Sequence, residues 1–153
     1  MADLRFCVDM AASPNLVFAF FVPQRMPHWY GTEMNSHFEV QGGASEFQAG
    51  QKVRISGTVR GREVALTVVI VEYEWLRVLD WRFQDSYGVR GMQRWEVAPS
   101  GAGTRLCMMD RYEMPGRWGR LVDWILTRHA VDRRDRDSLA RLRRLVERPG
   151  PRS

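Results

Sequence analysis

The last third of the chain constrains its fold most. Met114, Pro115 and Gly116 close a strand-rich region, and about 32 residues follow with no proline before Pro149. At 100° per residue, Leu121, Ile125, Leu139, Leu142 and Val146 share one face of a helix, but Arg128, Asp132 and Asp135 fall on that face between them. The apolar stripe is interrupted at mid-helix. Such a helix either leaves its partner sheet there or lines a cavity whose wall is partly polar.

What precedes it reads as strand. Leu4, Phe6, Val8 and Met10 alternate with Arg5, Cys7 and Asp9. Ser13 and Pro14 are an N-cap and first helical residue, Leu16, Val17, Phe20 and Phe21 form the apolar face of that short helix, and Pro23 ends it. A second short helical piece is expected over 24–29. Strand patterns then run over 37–41, 51–59, 64–73, 75–83, 89–97 and 104–114, with turns at Gly42-Gly43, around Gly61 and at 99–103. Over 64–73 both parities are apolar, so its inner side stays open. The strand 104–114 is unambiguous, with Leu106, Met108, Asp110, Tyr112 and Met114 on one face and Arg105, Cys107, Met109, Arg111 and Glu113 on the other. A run of strands followed by one helix about 48 Å long indicates an α+β domain with an antiparallel sheet. Residues 1–148 are expected to form a single domain, with 149–153 as a frayed tail.

The charge of the chain is local. Residues from Gly116 onward carry eleven Arg and five acids, hence +6 of a total of +5, so everything before them sums to −1. The acids are interleaved with the Arg in "DRRDRDS", which favours a solvated helix face with local ion pairs over a nucleic-acid or membrane-binding surface. The longest apolar run, 16–22, is too short to span a bilayer. Cys7 and Cys107 sit within strands and not in a spaced framework; reduced thiols and a cytoplasmic protein are expected, with no disulfide.

Order and local strings together resemble a family. "VDMAASPNLVFAFF" followed by Trp29, "FQAGQKVRISG", "PSGAGTRLCMMDRYEMPG" and "WGRLVDWILTRHAV" with "SLARLRRLVE" are similar to the START-like (SRPBCC) superfamily, in particular its bacterial polyketide cyclase/dehydrase-type members. The resemblance implies a helix-grip fold: a seven-stranded curved antiparallel sheet wrapped around a long C-terminal helix, two short helices after the first strand, and an internal cavity for an apolar ligand. It also implies that the first and last strands pair, which puts Cys7 and Cys107 on the outer face. Such proteins include aromatase/cyclases and lipid carriers, so the resemblance alone assigns no activity.

Chemistry-bearing motifs are few. There is no Gly-rich phosphate loop, no G-x-S-x-G and no C-x-x-C, and His28, His37 and His129 lack metal-ligand spacing, so neither metal nor cofactor is expected. Asp110 stands out as the charge among Leu106, Met108, Tyr112 and Met114 on the apolar face of its strand. It is either a carboxyl with a raised pKa able to move protons, or a structural carboxylate paired with an Arg, the commoner case. Tyr112 is its candidate catalytic companion, and equally a tyrosine that only bonds a backbone carbonyl. Trp29, Tyr30, Trp81, Gln93, Trp95, Met108, Ile125, Arg128 and Asp132 are candidate ligand contacts. For the aromatics, core packing is an equal explanation, and Arg128 and Asp132 are spaced to pair with each other. Three functions are compatible: binding of a small hydrophobic molecule by a monomer or homodimer; a polyketide aromatase/cyclase-dehydratase using cavity acid and base groups; and a basic interaction protein acting through the Arg-rich helix.

Overall fold

The computed structural model describes residues 2–113, 116 and 128–148. Seven strands form one antiparallel sheet in the order β1-β7-β6-β5-β4-β3-β2. They are β1 (Ala2–Met10), β2 (His37–Val40), β3 (Lys52–Val59), β4 (Arg62–Glu74), β5 (Val78–Asp85), β6 (Arg90–Ser100) and β7 (Gly103–Glu113). Each of β3 to β7 pairs with its neighbour in sequence, and β1 joins the far edge against β7, so the two ends of the strand region lie side by side. The C-terminal helix α2 is described over Arg128–Glu147. It lies across the inner face in a helix-grip fold. The expected first half of that helix, with Leu121, Ile125, Trp118 and Trp124, lies outside the described residues.

Local chemistry accounts for the elements. Ser13 accepts a hydrogen bond from the Leu16 backbone N–H and Pro14 opens helix α1 (Pro14–Phe18), as the cap pattern predicts. Helix α1 is only five residues long, shorter than expected, and Leu16 is 56% exposed instead of contributing to a buried face. The second piece is a single 3-10 turn, Met26–His28. The open question over 64–73 has a definite answer. Val68 and Ile70 point inward while Val69 and Val71 are exposed, and a bulge between Ile70 and Glu72 shifts the register so that Tyr73 returns to the inner side. One extra residue in the strand reverses which parity is buried, which accounts for Tyr73, while Val69 and Val71 stay apolar on the outer face. Trp75 is not in a strand: it sits in the turn between β4 and β5 and is half exposed over Phe18, ring centroids 5.3 Å apart.

The inner face is closed by α1, the 3-10 turn and α2. Leu139 and Leu142 have no exposed surface, Ala11 N–H donates to Glu147 at 2.7 Å, and Arg141 donates to the Trp29 carbonyl at 3.1 Å. These contacts fix the C-terminal end of α2 against the loop after β1 and the residue that follows the 3-10 turn.

Cys7 and Cys107 require a correction. Both project from the outer face, as the implied pairing of β1 with β7 places them, but they are direct register partners with Cα atoms 4.0 Å apart, and the structure joins them in a disulfide. Strand patterning gives the parity of each cysteine; only the register brings the two sulfurs together. Reduced thiols were the basis for a cytoplasmic location, and the bonded pair withdraws that basis. Among the described residues no helix is long and apolar enough to cross a membrane.

Candidate functional site

The alternation of β7 that turns Leu106, Met108 and Tyr112 inward also turns Asp110 inward, where it is 1% exposed. Gln93 is its register partner on β6, and Trp81 on β5 is the register partner of Gln93. The three strands thus present a transverse row of polar groups beneath α2. Tyr30, which follows the 3-10 turn, reaches into this row and donates its hydroxyl to Gln93 Oε1 at 2.7 Å, and Trp81 Nε1 donates to the same oxygen at 2.9 Å. With its oxygen doubly engaged, the Gln93 amide is oriented to donate from Nε2 to Asp110 Oδ2 at 3.2 Å. A fixed amide holds a buried carboxylate.

Helix α2 supplies the other half. Asp135 is 2% exposed and is hydrogen-bonded to Asp110, carboxyl to carboxyl. Arg134 Nη2 lies 3.6 Å from Asp110 and 3.5 Å from Asp135. Two carboxyls this close and this dry cannot both ionise, so one keeps a proton. Burial is the largest influence on Asp135, the hydrogen bond to Asp110 and the negative charge there act in the same direction, and together they outweigh Arg134 and push its pKa up to about 9. Burial likewise pushes the Tyr30 hydroxyl far up and keeps it a donor. Burial works against the charge of Arg134, but the potential of Asp135, Tyr30 and Asp110 more than offsets it, so the guanidinium stays cationic. The result is a carboxylic acid hydrogen-bonded to a carboxylate, with one cation beside them, in a wall of apolar side chains. That arrangement can donate a hydrogen bond to a carbonyl or hydroxyl oxygen and can accept a proton in return.

Of the residues singled out in the sequence, Tyr30, Trp81, Gln93 and Asp110 come together in this network, with Met108 and Tyr112 buried on the same face of β7. Trp29, Trp81 and Trp95 have no exposed surface and pack edge to face on one another, and Trp29 Nε1 donates to the Phe20 carbonyl at 2.9 Å. Trp95 Nε1 is buried with no hydrogen-bond partner among the described residues. Asp132 stands apart, half buried, with Arg136 one turn on bonded to both its oxygens at 3.0 and 3.1 Å. Its partner is therefore Arg136. Ile125 lies outside the described residues, as do the side chains of Arg128 and His129. Among the described residues no group of three or more His, Cys, Asp and Glu is placed to hold a metal.

Arg134 and Asp135 were not among the predicted site residues. Asp135 had left a signal, since it interrupts the apolar stripe of α2. Arg134 had left none: it sits 100° off that stripe and reaches the site through the length of its side chain. Other arginines of the helix are engaged within the protein, Arg136 with Asp132 and over the Phe6 ring at 4.9 Å, Arg141 with Trp29 and Arg143 with Glu147 at 3.1 Å.

Residues 1–147 match the family described as polyketide cyclase/dehydrase and lipid transport. The chain belongs to that family. Solved structures agree on the fold. CV1439 from Chromobacterium violaceum superposes with a TM-score of 0.74 at 16% identity, over 96% of this chain and 98% of that one. TTHA0849 from Thermus thermophilus gives 0.70 at 22% identity, over 95% and 97%. DynU16, from the dynemicin biosynthetic locus, gives 0.69 at 20% identity over 95% of this chain, which spans only 47% of that protein. No curated protein matches the chain. Identities this low establish the shared helix-grip fold of the START-like superfamily and leave the chemistry to the residues of the site.

Proposed function

We propose that the protein binds a small, largely apolar molecule bearing a carbonyl or hydroxyl oxygen, and that the Asp110–Asp135 pair holds that oxygen. The observation that carries this reading is the pair of buried carboxyls, Asp110 and Asp135, set with one arginine in an apolar interior. Buried ionisable groups weaken a fold unless fully paired, and a hydrophobic replacement of similar volume is commonly more stable. Ligand sites, by contrast, are apolar with a few fixed polar groups. Leu66 and Val89, partly buried against the core, supply apolar surface for the body of such a ligand.

The raised pKa of Asp135 also favours a catalytic reading, a cyclase-dehydratase acting on a poly-β-ketone chain. Asp135 would protonate a ketone oxygen while the Asp110 carboxylate takes the acidic proton from the neighbouring carbon. The carbon nucleophile then adds to a second carbonyl, and loss of water returns the proton inventory to its start. Arg134 would steady the charge as it moves between the carboxyls.

Native mass spectrometry of the freshly purified protein tests the binding reading through a co-purifying small molecule. Ligand at 100 times its Kd should raise stability by about 2.7 kcal/mol. Asp110→Asn separates the two readings: a binding protein keeps most of its affinity, whereas an enzyme keeps affinity and loses turnover. Absence of any co-purifying or stabilising apolar ligand defeats both.

A further inference from the structure

The strands that carry Asp110 and Gln93 inward present a different surface outward. Cross-strand register sets Arg54 on β3 and Arg90 on β6 in one transverse row, and Val69, Arg82, Met92 and Arg111 on β4 to β7 in the next. Together they line an open cleft of about 930 Å³ on the outer face, within the roughly 300–1,000 Å³ of small-molecule sites. A Cβ at Gly91 would run into the Arg111 carbonyl oxygen, so β6 and β7 approach each other at the cleft more closely than any other residue allows.

The charge of this cleft is one-sided. Arg111 is held by Asp3 at 3.1 Å and Arg90 lies 3.7 Å from Glu113, but Arg54 and Arg82 have no acidic partner among the described residues. The acids that line the cleft are Glu113 and Asp85, and Asp85 accepts the backbone N–H groups of Tyr87 and Val89. Arg82 and Arg90 stand diagonally on adjacent strands, so their Cβ atoms are about 7–8 Å apart and both guanidinium groups can reach one anion. Beside them Val69, 38% exposed, and Met92 form an apolar floor.

We propose that this outer cleft is a second binding site, for a monomeric anionic amphiphile whose carboxylate or phosphate sits between Arg82 and Arg90 and whose apolar body lies over Val69 and Met92. The site is separate from the interior pair of carboxyls, being on the opposite face of the same sheet. Its charge complements an anion, whereas the interior offers a neutral acid to an uncharged oxygen.

Isothermal titration with dodecyl phosphate, below its micelle concentration and at low salt, tests this. The expected result is one-to-one binding that weakens with salt, is much weaker for dodecanol, and falls at least about tenfold in Arg82→Gln, the loss of a charge-assisted hydrogen bond. Arg82→Gln/Arg90→Gln should abolish it, and so should Val69→Asp, which alters the floor and not the rim, while Asp135→Asn binds as wild type does. The proposal is overturned by no binding at low salt, by unchanged affinity in the folded Arg82→Gln/Arg90→Gln protein, or by dodecanol binding as well as the phosphate. Loss in Asp135→Asn instead would move the ligand to the interior. Binding to phosphatidylglycerol vesicles without binding of the monomer would make the cleft a membrane contact, and a dimer that only Arg82→Gln/Arg90→Gln dissociates would make it a self-interface; either result ends the proposal.

Discussion

The sheet carries a charged cluster on each face, and the two clusters are built on opposite principles. Outside, Arg94 donates to Glu96 at 2.7 Å, to Asp80 at 2.8 Å and to Glu72 at 3.0 Å, and Arg77 joins through Glu72 at 2.8 Å. Every charge there has an opposite within reach, and apart from the buried Asp80 each is at least partly open to solvent. Inside, the Asp110–Asp135–Arg134 group has two acids for one base, and Asp110 Oδ1 and Asp135 Oδ2 are buried with no N–H or hydroxyl donor among the described residues. The outer cluster has the form expected of a surface brace. The inner one has one cation for two carboxyls and must keep a proton, a condition that weakens a fold and that a binding or catalytic site makes use of.

Removing the outer brace at its strongest point should have the largest effect. Glu96 is the register partner of Cys107, which is bonded to Cys7, so the disulfide extends the outer row to the sheet edge. Cysteines 100 residues apart close a loop whose cross-link is worth about 4.7 kcal/mol in the chain-entropy account. Cys7→Ser/Cys107→Ser should lose up to that amount in denaturant unfolding, and intact mass should rise on reduction of the wild-type protein. Equal stability of the two proteins would show that the thiols are free and leave the outer face braced by ion pairs alone.

Next comes the single cation of the inner cluster. Arg134→Met leaves Asp110 and Asp135 without counter-charge. Breaking a buried pair costs about 3–5 kcal/mol, and the lower end applies because the Arg134 side chain is 38% exposed. A loss of about 3 kcal/mol at pH 7 is expected. A loss under about 1 kcal/mol, the range of exposed pairs, would erase the contrast between the faces.

Asp135→Asn should act in the opposite direction. The Asp135 carboxyl has a folded-state pKa of about 9, above its unfolded value of 3.8, so the unfolded chain releases a proton that the folded one keeps. Its contribution is complete below about pH 4, declines as pH rises and is gone once pH passes about 9. The Asn variant, neutral throughout, should match the wild type near pH 4 and exceed it at pH 8, by at most about 1.4 kcal/mol for each pH unit between. It should also lose the downward slope between those values. Unfolding free energies across pH 4–9 decide it, and a slope that survives in the variant would place the bound proton elsewhere.

The inner cluster was half legible in the sequence. Asp110 declared itself as a charge on the apolar parity of its strand, Gln93 as its neighbour on the adjoining strand, and the break in the helix stripe pointed to Asp135. The fold was legible for a similar reason, since alternation and turns are local and each strand carries its own pattern. Arg134 was hidden because a long side chain can reach a site from a position that no helical periodicity marks. The disulfide and the inward return of Tyr73 were hidden because each depends on register, on which residue meets which across a strand pair, and a one-residue bulge at Ile70–Glu72 is enough to change it.

The smallest effect belongs to the rim of the outer cluster. Glu96 is 50% exposed and is one of three acids on Arg94. When it is replaced by Gln, Asp80 and Glu72 still hold the guanidinium and water solvates what Glu96 released. Exposed pairs contribute about 0.2–1 kcal/mol, so Glu96→Gln should cost less than about 0.5 kcal/mol at low salt and nothing measurable at 1 M salt, where the screening length is about 3 Å. Paired denaturation curves at the two ionic strengths measure this. A larger, salt-independent cost would mean that the outer charges are as dry and as tightly coupled as the inner ones, and the argument for function from two carboxyls sharing one cation would lose its reference.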